Sequence, residues 1–395
     1  MSHTLYTHFS LFDGQKETLT ENAYFIVDDE TGKIVEMGTA AAPQADSTVD
    51  LGGKYVMPGL INAHTHIVSD PTGELEPLGS PNLTPVVATK IALDNLNDLL
   101  KHGVTYIRDV GADFDVDIAL SKLEKSGHLF SPGICASGRP LVMTGGHFCV
   151  IGYEVDSPDE ARKAARKALK NGADNVKLMA TGGVSFGGET PHDVQLTEEE
   201  LRAAVIEAHH KGRTANAHAQ GTEGIKNAIR AGVDSVEHAI YLDEEAIQMF
   251  LDTGTYIVPT LAAVYGIAVR GQGKVPDFMM KKALEVQKAH FESIGKAAKA
   301  GIHLAMGTDA GTPFNDFKND SAFELELMVE AGCTPMQALK SASLNAAKLL
   351  KIDDEYGTLE TGKYADFLVI NANPLTTIKA VQQEKRVFKK GVEVK

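Results

Sequence analysis

His64 and His66 stand two apart in Gly59-Leu60-Ile61-Asn62-Ala63-His64-Thr65-His66, where an apolar run of strand character gives way to a loop. In an extended chain, residues two apart share a face, so both imidazoles can address one divalent ion. Taken alone, such a pair is better explained as two surface or hydrogen-bonded histidines. Other strand-like runs, however, end in groups of the same kind: Lys177 after Asn175-Val176, His218 after Ala215-Asn216-Ala217, His238 after Val236-Glu237, and Asp309 after Gly307-Thr308. The run that ends in Pro259-Thr260 offers no charged group. An ammonium cannot bind a cation, but a lysine desolvated beside dications loses its proton more easily. Its free amine can then take up carbon dioxide as a carbamate, a two-oxygen anion able to bridge metals. Each residue has an ordinary explanation by itself: a core histidine, an ion-paired lysine, an aspartate closing a turn. Their recurrence at matching strand ends needs a common cause.

A common cause requires elements that bring those ends together. The first fifty-odd of the 395 residues carry short strand-like pieces at 23–27, 34–37 and 55–57, separated by turn signals such as Asp28-Asp29 and Thr31-Gly32. From Pro58 the texture becomes strand, loop, helix, repeated. Ser157-Pro158-Asp159-Glu160 reads as a capping box opening a helix that stops at Asn171-Gly172. Thr197 with Glu200 repeats the device, and Lys211-Gly212 closes that helix. Strand runs at 60–63, 104–109, 133–136, 175–178, 214–217, 235–237, 256–258 and 303–306 alternate with helical segments. The pattern predicts a (β/α)₈ barrel, whose C-terminal strand ends converge on one mouth. A helical pair follows at 321–331 and 335–350, and strand texture returns at 367–370, 387–388 and 392–394. The expected architecture is therefore α/β: a barrel over 58–355, with a small β-sandwich-like domain built from 1–57 and 356–395.

Composition narrows the function. With 38 Lys+Arg against 53 Asp+Glu the formal charge is −15, which repels nucleic-acid phosphates and anionic lipid. Neither nucleic acid nor membrane is an expected partner. The opening residues show no cationic stretch followed by an apolar run, and no run approaches the ~20 apolar residues of a membrane helix, so the expected location is cytoplasmic. Three cysteines (Cys135, Cys149, Cys333) are too few and too scattered for a disulfide framework or a thiolate zinc site. Thr181-Gly182-Gly183 lacks the Lys-Ser/Thr ending of a phosphate loop.

Taken in order, Pro58-Gly59-Leu60-Ile61-Asn62-Ala63-His64-Thr65-His66, Lys177, His218, His238 and Gly307-Thr308-Asp309 resemble the amidohydrolase superfamily with a binuclear metal centre. The tail from Asn345-Ala346-Ala347-Lys348 through Gly357-Thr358-Leu359 to Ala365-Asp366-Phe367 resembles it too, so the likeness spans nearly the whole chain. Met143-Thr144-Gly145-Gly146-His147, the stretch from Val176 to Gly183, and His238-Ala239-Ile240-Tyr241-Leu242-Asp243 are similar to the Xaa-Pro dipeptidase (prolidase)-like branch, whose members cleave dipeptides and N-acyl amino acids.

The resemblance implies that His64, His66 and Asp309 hold a buried metal, that His218 and His238 hold a more exposed one, and that carboxylated Lys177 bridges them. Two zinc ions are the implied cofactors, with cobalt or manganese suited to the same donors. Such a centre lowers the pKa of bound water towards ~7 and polarises a carbonyl. Asp309 is then the general base and Tyr241 the hydrogen-bond partner of the substrate carbonyl. His147, following two glycines, reads as a contact to a small-molecule substrate; where the branch commonly has a glycine and a later arginine, this chain has Phe148 and Tyr153. Related barrels often form homo-oligomers, but nothing in the sequence names an interface. Three other readings remain open: a phosphotriesterase-like hydrolase, a mononuclear ring-amide hydrolase or deaminase of the imidazolonepropionase kind, and a catalytically silent scaffold.

Overall fold

The apolar runs that end in the candidate ligands pair with one another. In the computed structural model, which describes residues 2–395 apart from 40, 73, 76 and 77, Leu60–Thr65, Val104–Asp109 and Gly133–Cys135 form one parallel sheet. Asn175–Met179, Thr214–Ala219, Ser235–His238 and Tyr256–Val258 lie side by side in a second. Backbone hydrogen bonds close the two into a ring. On one side the Asp174 amide donates to the Ala136 carbonyl at 2.7 Å. On the other, residues 303–306 fill the gap: Ile257 N–H donates to His303 O at 2.9 Å, and Ala63 N–H donates to Met306 O at 2.8 Å. These eight segments, followed outward by helices, make the (β/α)₈ barrel that the alternation predicts.

The eighth segment meets the first at a point where only glycine fits. A Cβ on Gly307 would stand 2.7 Å from the Cβ of His64 and 2.4 Å from a methyl of Val258. The strand ends can therefore crowd together there, and the loop carrying Asp309 runs directly over His64.

The helix signals hold with two adjustments. Pro158–Asn171 is capped by the Ser157 hydroxyl and stopped by Gly172 at φ 115°, but Glu160 returns its carboxylate to the amide of Asp156 rather than to that of Ser157. Glu198–His210 has the full reciprocal box between Thr197 and Glu200. The expected helix at 335–350 is two, Pro335–Ser341 and Leu344–Leu349, because Ser343 leaves the helical region at φ −137°, ψ −101°.

Both chain ends enter one seven-stranded sheet. Its order is Val392–Glu393, Arg386–Lys389, Phe367–Ile370, Ser47–Pro58, His3–Leu11, Thr20–Asp28, Lys33–Gly38. The interior strand His3–Leu11 has no counterpart among the predicted pieces. His8 sits at φ 59°, and the register slips between Tyr6 and Phe9, so the period-two pattern is broken in mid-strand. The sheet folds over on itself: the rings of Phe25 and Phe367 lie 5.1 Å apart although two strands separate theirs, where a flat sheet would hold them ~14 Å apart. Tyr6, Phe9 and Phe388 complete that aromatic core, which is sandwich-like in this sense.

A buried ion pair ties the sheet to the barrel. Lys389 Nζ donates to Asp366 Oδ2 at 2.7 Å and to the carbonyl of Thr105, on the second barrel strand, at 3.0 Å. Removing one partner leaves the other charge buried and uncompensated. Lys389→Met is therefore expected to lower the unfolding free energy by about 3–5 kcal/mol, read from urea midpoints; an unchanged midpoint contradicts this.

Candidate metal centre

Along the barrel strands, alternation points Asn62 and His64, Arg108, Asn175 and Lys177, Asn216 and His218, and Ser235 and Glu237 into the barrel. His238 should then face outward. It does not, because its φ of 72° swings the side chain back to the mouth. Asp309, at φ 61°, is turned similarly, with its amide donating to the His64 carbonyl at 2.9 Å. Ala239 at φ 50° and Thr260 at φ 56° belong to the same rim. Each such conformation costs about 1–3 kcal/mol and survives only where its surroundings enforce it.

His64, His66, Lys177, His218, His238 and Asp309, with His147, line one cavity of about 400 Å³, its opening to solvent included. Asp309 Oδ1 lies 3.2 Å from Nε2 of both His64 and His66, and one ligand atom from each of the three falls within 4.8 Å of the others. The rings of His64 and His238 are 5.2 Å apart, and those of His218 and His238 4.7 Å.

Each imidazole is oriented through its other nitrogen. His64 Nδ1 is 2.7 Å from Glu237 Oε2, and His66 Nδ1 is 3.0 Å from the carbonyl of Gly111. Nε2 of both is thereby left for a cation. The Thr260 hydroxyl donates to Pro259 O at 2.6 Å, so towards His238 Nδ1, also at 2.6 Å, it acts as acceptor, again freeing Nε2. His218 uses Nε2 on the carbonyl of Gly182 at 3.1 Å and keeps Nδ1.

Burial pushes the pKa of His66, His218 and His238 down, which keeps these rings neutral and able to offer a lone pair. Burial would raise Asp309, but His64 and His66 hold it well below the usual carboxylate range. Burial lowers Lys177 to about 8 against the pull of Glu237 and Asp309. Among the described residues its Nζ has no hydrogen-bond or ion-pair partner. The donor set therefore suits a divalent cation: neutral imidazoles, an ionised carboxylate, and a buried amine with nothing else to bind.

His147 is buried and aimed by neighbours the sequence reading does not single out. Its Nδ1 meets Glu189 Oε1 at 2.5 Å, its amide donates to Gln195 Oε1 at 2.9 Å, and its ring stacks on His218 at 4.3 Å. Tyr241 is not among the residues around the cavity; its ring packs against His192 at 4.5 Å.

The largest omissions from the sequence reading are Glu237 and Arg108, both fully buried. Arg108 donates to Glu237 Oε1 at 2.8 Å, to the Ser235 hydroxyl at 3.0 Å and to the Ala63 carbonyl at 2.6 Å. Burial would raise the Glu237 carboxyl, but Arg108 and His64 hold it far below its ordinary value. The signal was present: a charge at an inward position of a buried strand must have a partner of opposite sign.

Comparison with known proteins matches residues 55–394 to the model of the amidohydrolase family. The chain belongs to that family. Among curated relatives, ochratoxinase of Aspergillus niger is 30% identical over 364 residues, spanning 84% of this chain and 73% of its own. A Xaa-Pro dipeptidase solved with methionine bound in its active site superposes with a TM-score of 0.89 at 31% identity, covering 99% of both chains. A prolidase complexed with N-methylphosphonate-L-proline gives 0.89 at 28% identity over 100% of both. This amidohydrolase is thus a hydrolytic enzyme with prolidase-like neighbours, of a superfamily that generally uses divalent metals. No helix among its described residues is long and apolar enough to cross a membrane.

If Glu237 sets the His64 tautomer, Glu237→Gln should weaken zinc binding roughly 10–100-fold in competition with a chromogenic chelator. Unchanged affinity contradicts that role.

Proposed function

We propose that this amidohydrolase cleaves the amide bond of a dipeptide or an N-acyl amino acid at a centre of two divalent cations, with zinc the metal that the nitrogen and oxygen donors suit. The observation that carries the reading is the meeting of six candidate ligands in one cavity, with each of the four imidazoles anchored through the nitrogen a metal would not use. The likeness to a Xaa-Pro dipeptidase and to a prolidase complexed with N-methylphosphonate-L-proline supports the amide and the dipeptide class.

In this reading His64, His66 and Asp309 hold the inner cation and His218 and His238 the outer, with carboxylated Lys177 between them. A pKa of about 8 leaves part of the Lys177 population as free amine near neutrality, the form that adds to carbon dioxide. The bound cations supply hydroxide at neutral pH and polarise the scissile carbonyl.

The protein's own groups do the rest. Asp309, ionised and facing both imidazoles, accepts the proton of the attacking water and delivers it to the leaving amine. His147, held by Glu189 and Gln195, offers its remaining ring nitrogen to the substrate. Tyr241 stabilises the developing oxyanion only after its phenol leaves His192 and turns inward.

Asp309→Asn is expected to lower kcat on Xaa-Pro dipeptides or N-acyl amino acids by roughly 10²–10⁴-fold with the protein still folded. Lys177→Ala should abolish turnover. Near-normal turnover in Lys177→Ala would favour a one-metal centre, and faster cleavage of a nitrophenyl phosphotriester than of any amide would favour the phosphotriesterase reading.

A further inference from the structure

Helix Leu261–Tyr265 begins directly after Thr260, the residue whose hydroxyl meets His238 Nδ1. That position makes Thr260 the cap of the helix, and threonine is a favoured cap: from extended backbone its hydroxyl accepts an amide of the first turn. Here it does not. Thr260 sits at φ 56°, ψ 39°, its hydroxyl is engaged by Pro259 O and His238 Nδ1 at 2.6 Å each, and it accepts from no helix amide.

The free amides are met from another helix. Glu324, fully buried on Asp320–Glu330, accepts from the Leu261 amide at 2.8 Å through Oε1 and from the Ala262 amide at 2.7 Å through Oε2. Among the described residues no cation pairs with this carboxylate. Burial pushes it up to about 8, although both amides favour its ionised form. Asp320, one turn earlier on the same helix, pairs with Arg270 at 2.8 Å, so one helix face grips both ends of 261–270. The Pro259 carbonyl is held separately, by His290 Nε2 at 2.8 Å.

Two acceptors therefore compete for the first turn of this helix, and the winner decides where the Thr260 hydroxyl points. With Glu324 in place the amides are satisfied and the hydroxyl is free for His238. Without it, two buried amides lack a partner, and the nearest hydroxyl relieves them once Thr260 relaxes into the ordinary cap conformation. The same relaxation takes the hydroxyl off His238, whose ring then loses the contact that settles which nitrogen carries the proton.

We infer that Glu324 is a positioning residue for His238: by capping helix Leu261–Tyr265 from a distance, it releases the Thr260 hydroxyl to hold the His238 ring with Nε2 free for a cation. This rests on the reading of His238 as a ligand of the outer cation and adds to it a residue that touches neither cation nor substrate. A group needed only to start the helix would leave Thr260 in extended backbone, with the cap supplied locally.

Nitrogen-15 spectra of metal-free protein labelled at its imidazoles, with the His238 signals identified by their loss in His238→Gln, read the ring directly. The unaltered protein should carry the His238 proton on Nδ1. Glu324→Gln, which keeps the volume but turns an amide N–H towards one of the two backbone amides, should lose that single tautomer. Thr260→Val should lose it too, and Thr260→Ser should keep it. The double variant Glu324→Gln, Thr260→Val should be displaced no further than Thr260→Val alone, since both act through one hydroxyl. In zinc titrations of Glu324→Gln, one of two equivalents should bind roughly 10–100-fold more weakly and the other as before. A His238 ring still protonated on Nδ1 in Glu324→Gln, with only the thermal midpoint lowered, overturns the inference. So does a proton on Nε2 in the unaltered protein. Glu324→Asp, whose carboxylate stops one methylene short of the amides, gives the same reading should Glu324→Gln not fold. If the unaltered protein binds a single equivalent of zinc, the two-cation reading fails, and the tautomer still decides the role of Glu324.

Discussion

Glu237 carries a carboxylate into the barrel interior, fully buried between the guanidinium of Arg108 and the imidazole of His64. Isolated charges cannot persist there, and the cluster persists because each member satisfies another. Arg108 balances Glu237 and is itself spent on Ser235 and the Ala63 carbonyl. Glu237 in turn settles which nitrogen of His64 carries a proton. The opposite nitrogen, together with Nε2 of His66, faces Asp309. An anchored charge pair in the core is thus converted into a directed lone pair at the mouth.

Burial acts on several groups at that mouth, with different outcomes. Burial pushes His66, His218 and His238 towards the neutral form and brings the lysine down to about 8, while Asp309, opposite His64 and His66, is held below the usual carboxylate range. The result is a set of donors with little positive charge of its own, which is what a divalent cation requires. The backbone contributes by force: His238 and Asp309 sit in left-handed conformations that a plain strand end would not adopt. Without them, alternation would aim His238 away from the site. The same conformation recurs at Phe148 and Phe314, which line a hollow adjoining the metal cavity.

Much of this was legible in the sequence because it depended on local rules. Strand runs between capped helices give the barrel, and ligand-type residues at successive strand ends give the cavity, since the fold itself sends those ends to one place. The helix boundaries at Ser157 and Thr197 followed from caps that act within four residues. What escaped depended on distant partners or on broken periodicity. Strand His3–Leu11 was hidden by the bulge at His8. Glu237 looked like one more acid beside a histidine, because its partner Arg108 lies far away along the chain. Thr260, passed over as uncharged, proves to orient His238. Tyr241 was placed by resemblance alone, and its contact with His192 is one that no local rule predicts.

The proposed role of Lys177 as the anion between two cations is addressed most directly by diffraction from crystals grown with zinc and bicarbonate. Two anomalous peaks should appear at the barrel mouth, one against His64, His66 and Asp309 and one against His218 and His238, with density for a carboxylate on Lys177 Nζ between them. A single peak beside a bare Lys177 amine would contradict it.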